Sequence, residues 1–99
     1  MISPTDISTA ASRVLAQYDV SEAYLFGSFA RGEQTPDSDI DLRLVCGDAM
    51  TFGTLYELSH ELEKELGRKV DIITNPPEHM RTALRKSIEQ DKVLVYEAL

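Results

Sequence analysis

The sequence has one cysteine, no long apolar run and few basic residues, and each shortage excludes a class of protein. The single cysteine, Cys46, excludes an internal disulfide framework and a zinc site built from cysteines. No apolar run reaches the roughly 18 residues of a membrane-spanning helix, and no charged-then-apolar leader opens the chain. We therefore expect a soluble, cytoplasmic protein with no membrane partner.

Basic residues number 10 against 17 acidic ones, so the formal net charge is −7 and the pI is about 4.7. A chain of this sign repels a phosphate backbone, which argues against direct binding of nucleic acid. Its 99 residues suffice for a single domain, residues 1–99, with one modest core. An enzyme of this size has no separate substrate domain, so something else must hold part of the substrate.

Hydrophobic periodicity predicts an α/β chain with a small mixed sheet of three to four strands flanked by helices. The helix over about 51–66 places Phe52 with Leu58 and Leu62 on its apolar face and ends at Gly67. It joins two strands, which predicts a right-handed parallel crossover. The other predicted elements are an N-terminal helix capped by Ser3 or Thr5, strands 23–26, 39–46, 69–74 and 93–96, and a helix over 78–91, with Asn75-Pro76-Pro77 ending the third strand.

Two aspartates, Asp39 and Asp41, lie on one face of the second predicted strand, with their Cα atoms about 6.5 Å apart. Carboxylates held side by side repel each other unless a cation lies between them. Mg²⁺ prefers such hard oxygen ligands and takes others from phosphates. Two such ions about 3.5–4 Å apart would clamp an attacking and a leaving oxygen. An isolated Asp-x-Asp pair is typical of a solvated turn, but a strand that begins at once favours a site.

A Gly-Ser pair follows the first predicted strand and precedes a few residues of helical propensity. Gly27 lets the backbone turn sharply and approach a ligand closely. Ser28 can cap the short helix, whose free N–H groups suit an anion such as a triphosphate tail. Arg31 can add a positive charge beside it. An ordinary strand-to-helix turn with a serine cap is the alternative reading of the same residues.

A third aspartate, Asp71, interrupts an otherwise apolar strand, where a charged side chain is costly unless it is paired or coordinated. If this strand lies beside the one that carries Asp39 and Asp41, three carboxylates converge. Asp71 can then accept a proton from an attacking hydroxyl or complete a second metal site. The alternative is a salt bridge with Lys69 or Arg68.

Taken together, these residues resemble a known family. The motif Gly-Ser-Phe-Ala-Arg-Gly at 27–32, followed by Ser-Asp-Ile-Asp-Leu at 38–42 and the later Asp71, resembles the nucleotidyltransferase superfamily of the DNA polymerase beta type. The closer resemblance is to the minimal nucleotidyltransferases, or MNT-domain antitoxins. It covers nearly the whole chain, and no motif position departs from the family pattern.

The resemblance implies a nucleotidyltransferase fold, two Mg²⁺ ions and ATP as the nucleotide donor. It implies transfer of AMP to a hydroxyl with loss of pyrophosphate. Many members act as antitoxins to a HEPN-type ribonuclease encoded beside them by modifying its tyrosine, so we expect a hetero-oligomer with such a toxin. The implied roles are metal ligation and catalysis for Asp39, Asp41 and Asp71, and contact with the phosphates for Gly27 and Ser28, beside the charge of Arg31.

Two other functions remain open. A non-catalytic antitoxin would neutralise the toxin by binding alone, and its acidic residues would then be remnants of a site. Nucleotidyl transfer to a small molecule is the third hypothesis, which the missing substrate domain makes harder to satisfy.

Overall fold

A computed structural model describes residues 2–74 and 77–98. It confirms the predicted α/β class, with a four-stranded sheet flanked by helices. The elements are α1 (Pro4–Leu15), β1 (Val20–Phe26), α2 (Ser28–Arg31), β2 (Ile40–Cys46), α3 (Phe52–Leu66), β3 (Val70–Ile73), a 3-10 turn (Pro77–His79), α4 (Thr82–Asp91) and β4 (Val93–Glu97).

The sheet has the strand order β3-β2-β1-β4. β1 pairs antiparallel with both β2 and β4, whereas β2 pairs in parallel with β3. The parallel pair is connected through α3, as the length of that helix predicts. The two motif-bearing strands, β2 and β3, are therefore neighbours.

One face of the sheet carries the core. Ile40, Leu42 and Leu44 alternate along β2 and are fully buried in one cluster with side chains of α1 and α3, among them Ile7 and Leu62. The residues between them project from the opposite face, which α4 covers in part. The charged half of the motif thus lies on the face away from the core.

Local sequence signals explain where the helices begin and end. Ser3, rather than Thr5, caps α1: its hydroxyl accepts from the Asp6 N–H, and the Asp6 carboxylate accepts from the Ser3 N–H at 2.9 Å. Thr51 caps α3 in the same way, accepting from the Thr54 N–H at 3.1 Å. Gly67 ends α3 in the left-handed conformation, as predicted.

Three predicted details are wrong. Phe52 is 92% exposed, because it occupies the first position of α3, ahead of Leu58, the first fully buried side chain of that helix. The last helix begins at Thr82 rather than 78, since the extended backbone of Arg81 separates it from the 3-10 turn. β1 begins at Val20 rather than Ala23, because a bulge lets its polar start pair with β2.

Asn75 and Pro76, which were predicted to end the third strand, lie outside the described residues. Within residues 2–74 and 77–98, no helix has both the length and the apolar character needed to cross a membrane.

Candidate active site

Parallel pairing of β2 with β3 brings the three predicted aspartates to one end of the sheet. Asp41 of β2 is the register partner of Asp71 of β3. Asp39 directly precedes β2, and the next residue, Ile40, donates its N–H to the carbonyl of Lys69 at 2.9 Å. The pairing thus extends to the point where Asp39 lies, and all three carboxylates stand at the same edge.

A lysine lies between two of these carboxylates. Lys69 Nζ is 3.9 Å from Asp39 Oδ2 and 3.6 Å from Asp71 Oδ1. The predicted alternative, a salt bridge between Lys69 and Asp71, is therefore present. The lysine side chain is 67% exposed, and exposed pairs of this length contribute only about 0–1 kcal/mol to stability. Such a weakly held ammonium can give way to a stronger cation.

The middle carboxylate, Asp41, has the most perturbed environment. Burial, and then the negative charges of Asp71 and Asp39, raise its pKa above the ordinary aspartate value. The positive charge of Arg31 acts in the opposite direction and lowers it. Neighbouring carboxylates that repel one another in this way form a group that a bound cation would stabilise.

Gly27 forms the wall of the site beside Asp41. Its backbone has φ 76° and ψ −154°, a conformation that only glycine adopts readily. A Cβ atom at this position would overlap the carboxylate oxygen Oδ2 of Asp41. Glycine is therefore needed both for the turn and for the close approach of the carboxylate.

Ser28 differs from its predicted role as a helix cap. Gly27 holds the N-cap position of α2, and no side chain makes a cap hydrogen bond there. The turn at Gly27 starts the helix one residue earlier in the motif than predicted, which places Ser28 inside the first turn. The prediction that Ser28 caps the helix is wrong, and its predicted contact with phosphate stays a prediction.

Arg31 lies at the end of α2 and joins two parts of the chain. Its Nη1 is 2.7 Å from Asp91 Oδ2 at the end of α4, and its Nε pairs with Glu33. These contacts raise the pKa of Arg31 further. Its charge still acts on Asp41, so Arg31 belongs to the electrostatics of the site, and a direct role toward phosphate stays a prediction.

The organising role of Arg68 is not predicted by the sequence, which suggests this residue only as an alternative salt-bridge partner of Asp71. Arg68 Nη1 donates to the backbone carbonyls of Pro36 at 2.6 Å and Ser38 at 3.0 Å, and its guanidinium lies 5.6 Å from the centre of the Phe29 ring. It thereby ties the loop before Asp39 to α2. These contacts span about 30 residues of sequence, and no local pattern signals them.

Comparison with known proteins assigns the family. Residues 10–98 match the family described as "Polymerase beta, Nucleotidyltransferase". The chain belongs to the polymerase beta nucleotidyltransferase family. A relative from Methanocaldococcus jannaschii, named as a protein adenylyltransferase, is 44% identical over 81 residues, which are 80% of each chain.

Two solved structures share the fold of this nucleotidyltransferase. One, named as a minimal nucleotidyltransferase, superposes with a TM-score of 0.74 at 27% identity and covers 93% of this chain and 95% of that one. The other is a chain in a complex of a tri-AMPylated HEPN toxin of Shewanella oneidensis with MNT antitoxin. It matches with a TM-score of 0.56 at 21% identity over 81% of this chain and 59% of that one, and shares the fold.

The donor atoms of this nucleotidyltransferase suit Mg²⁺. Within the described ranges, 2–74 and 77–98, no three His, Cys, Asp or Glu side chains stand close enough to enclose a metal ion by themselves. Mg²⁺ is usually held by one or two carboxylates together with waters and substrate phosphates, so a complete protein cage is not required. Asp39, Asp41 and Asp71 offer such carboxylates, and the turn at Gly27 packs directly against Asp41.

Proposed function

We propose that this chain is a Mg²⁺-dependent nucleotidyltransferase that moves AMP from ATP to a tyrosine hydroxyl of a HEPN-type toxin and thereby acts as its antitoxin. The observation that carries the proposal is the convergence of Asp41 and Asp71 on adjacent strands, with Asp39 next to them and Gly27 packed against Asp41. The adenylyltransferase relatives and the solved HEPN–MNT complex support it.

In this proposal, Asp39, Asp41 and Asp71 hold Mg²⁺, and Gly27 and Ser28 receive the triphosphate. Bound Mg²⁺ would neutralise charge on the phosphates and lower the pKa of an attacking hydroxyl. The tyrosine oxygen forms a bond to the α-phosphorus, and the bond from that phosphorus to pyrophosphate breaks. Asp71 is the candidate acceptor of the tyrosine proton, since it is register-paired with Asp41 and half-exposed toward solvent.

The acceptor belongs to the partner in this account. The four-stranded sheet of the described residues, 2–74 and 77–98, carries the proposed donor site on one face, and the partner supplies the tyrosine. A partner that binds RNA needs basic surface, which a domain of net charge −7 complements.

Labelled ATP tests the proposal. The chain is incubated with Mg²⁺, labelled ATP and the HEPN protein encoded beside it, and transfer of label to that protein is followed. Asp39→Asn combined with Asp41→Asn should abolish transfer, whereas Asp48→Asn, an exposed aspartate beyond the far end of β2, should leave it intact. Equal labelling by the double variant and the wild type would contradict the assignment.

A parallel assay in cells separates catalysis from binding. If the double variant transfers no label and still protects cells from the toxin, neutralisation occurs by occlusion and the antitoxin does not need its chemistry. If protection is lost together with transfer, modification is the mechanism.

A further inference from the structure

The strand that carries Asp71 is an edge of the sheet. β3 lies at one end of the strand order β3-β2-β1-β4, so among the described residues it has β2 as a neighbour on one side only. The N–H of Ile40 on β2 bonds to the carbonyl of Lys69, which turns the polar groups of Lys69 toward β2. Backbone groups alternate in direction along a strand, so those of Asp71 also point toward β2, whereas those of Val70 and Ile72 point outward.

The outward backbone groups of β3 are only partly occupied. The N–H of Val70 donates to Oε2 of Glu63 at 3.0 Å, so this side chain of α3 closes the start of the edge. Within residues 2–74 and 77–98, no group bonds to the outward N–H and carbonyl of Ile72 or to the carbonyl of Val70. An open row of this kind is a template on which an extended chain can pair as an additional strand.

The position of Asp71 indicates which partner segment this edge suits. In the proposed reaction, the acceptor tyrosine brings its hydroxyl to the aspartates, and Asp71 is the candidate acceptor of its proton. Neighbouring strands lie about 4.8 Å apart, and side chains opposite each other on one face are in contact. A strand added outside β3 therefore places a tyrosine directly beside Asp71, whose side chain is 46% exposed. A strand added at the other edge, outside β4, would lie about 19 Å from β3.

We propose that the toxin segment that bears the acceptor tyrosine binds in extended form along the outer edge of β3, as a fifth strand of the sheet. The inference rests on the proposed transfer of AMP to a toxin tyrosine. Backbone hydrogen bonds to Val70 and Ile72 supply affinity, and the alternation of side chains along the added strand directs the tyrosine to the face of Asp71. The carboxylate of Glu63 adds negative charge beside this edge, which suits a segment of a basic partner.

Backbone N-methylation of the acceptor segment tests the proposal without altering this chain. Synthetic peptides that span the labelled tyrosine of the HEPN protein carry one N-methyl group each, at the tyrosine or at one of the two residues on either side. Transfer of labelled AMP to each peptide is measured as kcat/KM with ATP and Mg²⁺. The N–H groups of a paired strand point alternately toward and away from its neighbour. We therefore expect kcat/KM to fall at least about fivefold at alternate positions and to stay within about twofold at the positions between them.

The variant Ile72→Pro tests whether β3 is the edge that is used. It removes the outward N–H of Ile72, and proline is tolerated on an edge strand where that group faces solvent. We expect kcat/KM for the unmethylated peptide to fall at least about fivefold, and the Kd of a non-hydrolysable ATP analogue to stay within about twofold. If thermal unfolding shows that this variant does not fold, the peptide series decides the proposal.

Loss of transfer at every methylated position, or at none, overturns the proposal, because neither pattern depends on strand pairing. An unchanged kcat/KM in folded Ile72→Pro overturns it as well. The same holds if the HEPN protein is labelled and the unmethylated peptide is not, since recognition would then need the folded surface of the toxin. If neither the HEPN protein nor the peptide is labelled, the proposed function itself fails.

Discussion

At the scale of the residue, Asp41 is held in an environment that opposes its charge. Its folded-state pKa is raised by burial, by Asp71 and by Asp39. A carboxyl group with a raised pKa favours the folded state below the unfolded-state value, near 3.9, and that contribution is lost as the pH rises through the folded-state value. At neutral pH, without a cation, ionised Asp41 therefore destabilises the fold.

The replacement Asp41→Asn should consequently raise Tm at pH 7 in a chelating buffer. Because the side chain is only part-buried, we expect a gain of at most about 1 kcal/mol, or about 4–8 °C in a domain of this size. The gain should vanish near pH 3, where both side chains are neutral. Thermal unfolding at the two pH values measures it, with Asp48→Asn as the control for a simple change of net charge. A lower Tm for Asp41→Asn at pH 7 would show that repulsion does not dominate there.

At Gly27, the backbone conformation and the neighbouring carboxylate restrict which residue can be present. Gly27→Ala should reduce the free energy of unfolding by about 1–3 kcal/mol, because its φ and ψ lie in a region that is essentially reserved for glycine. It should also weaken nucleotide binding, since the new Cβ displaces Asp41.

Gly32→Ala is the matched control for that prediction. Gly32 also has a positive φ, of 72°, but a Cβ there meets no atom within 4 Å. Denaturant unfolding and nucleotide titration of both variants provide the comparison. A nucleotide affinity that falls equally in both would mean that backbone strain, and not the Asp41 contact, explains the effect.

At the scale of the element, the site depends on how a loop and two strands are held together. Alternation of Ile40, Leu42 and Leu44 is enough to predict β2 and the face on which its aspartates project. The helix between the two strands predicts a parallel crossover, and the observed pairing shows that β3 is the neighbour of β2. The prediction that places Phe52 on the apolar face of α3 is wrong: at about 100° per residue it lies about 120° around the helix from Leu58, and it is exposed.

The role of Arg68 could not be predicted from the sequence, because its contacts with the loop at 35–38 join distant parts of the chain. Arg68→Met keeps much of the side-chain length but removes these donors. We expect nucleotide affinity with Mg²⁺ to fall severalfold, because the loop no longer positions Asp39, and Tm to change little more than in the control. The control is Arg13→Met. Arg13 is an exposed arginine of α1 that pairs with Glu65 of α3. Unaltered affinity in Arg68→Met would show that the loop holds Asp39 without this residue.

At the scale of the whole molecule, one face of the sheet packs against the core and the opposite face carries Asp41 and Asp71. The motifs at 27–32 and 38–42, together with Asp71, carry the resemblance that predicts the family, and the family match confirms that prediction. A cavity of about 200 Å³ between the sheet and α4 could not be predicted, because its walls come from β1, β2 and the segment 80–92, whose packing no sequence pattern records.

The central claim is that the aspartates at the β2–β3 edge transfer AMP to a protein partner. Intact-mass measurement of the HEPN protein, purified after co-expression with this chain, tests it most directly. We expect one or more AMP adducts with the wild-type chain and with Asp48→Asn, and none when Asp39 and Asp41 are both changed to asparagine. An unmodified partner in the wild-type complex, or identical adducts with the double variant, would contradict the claim.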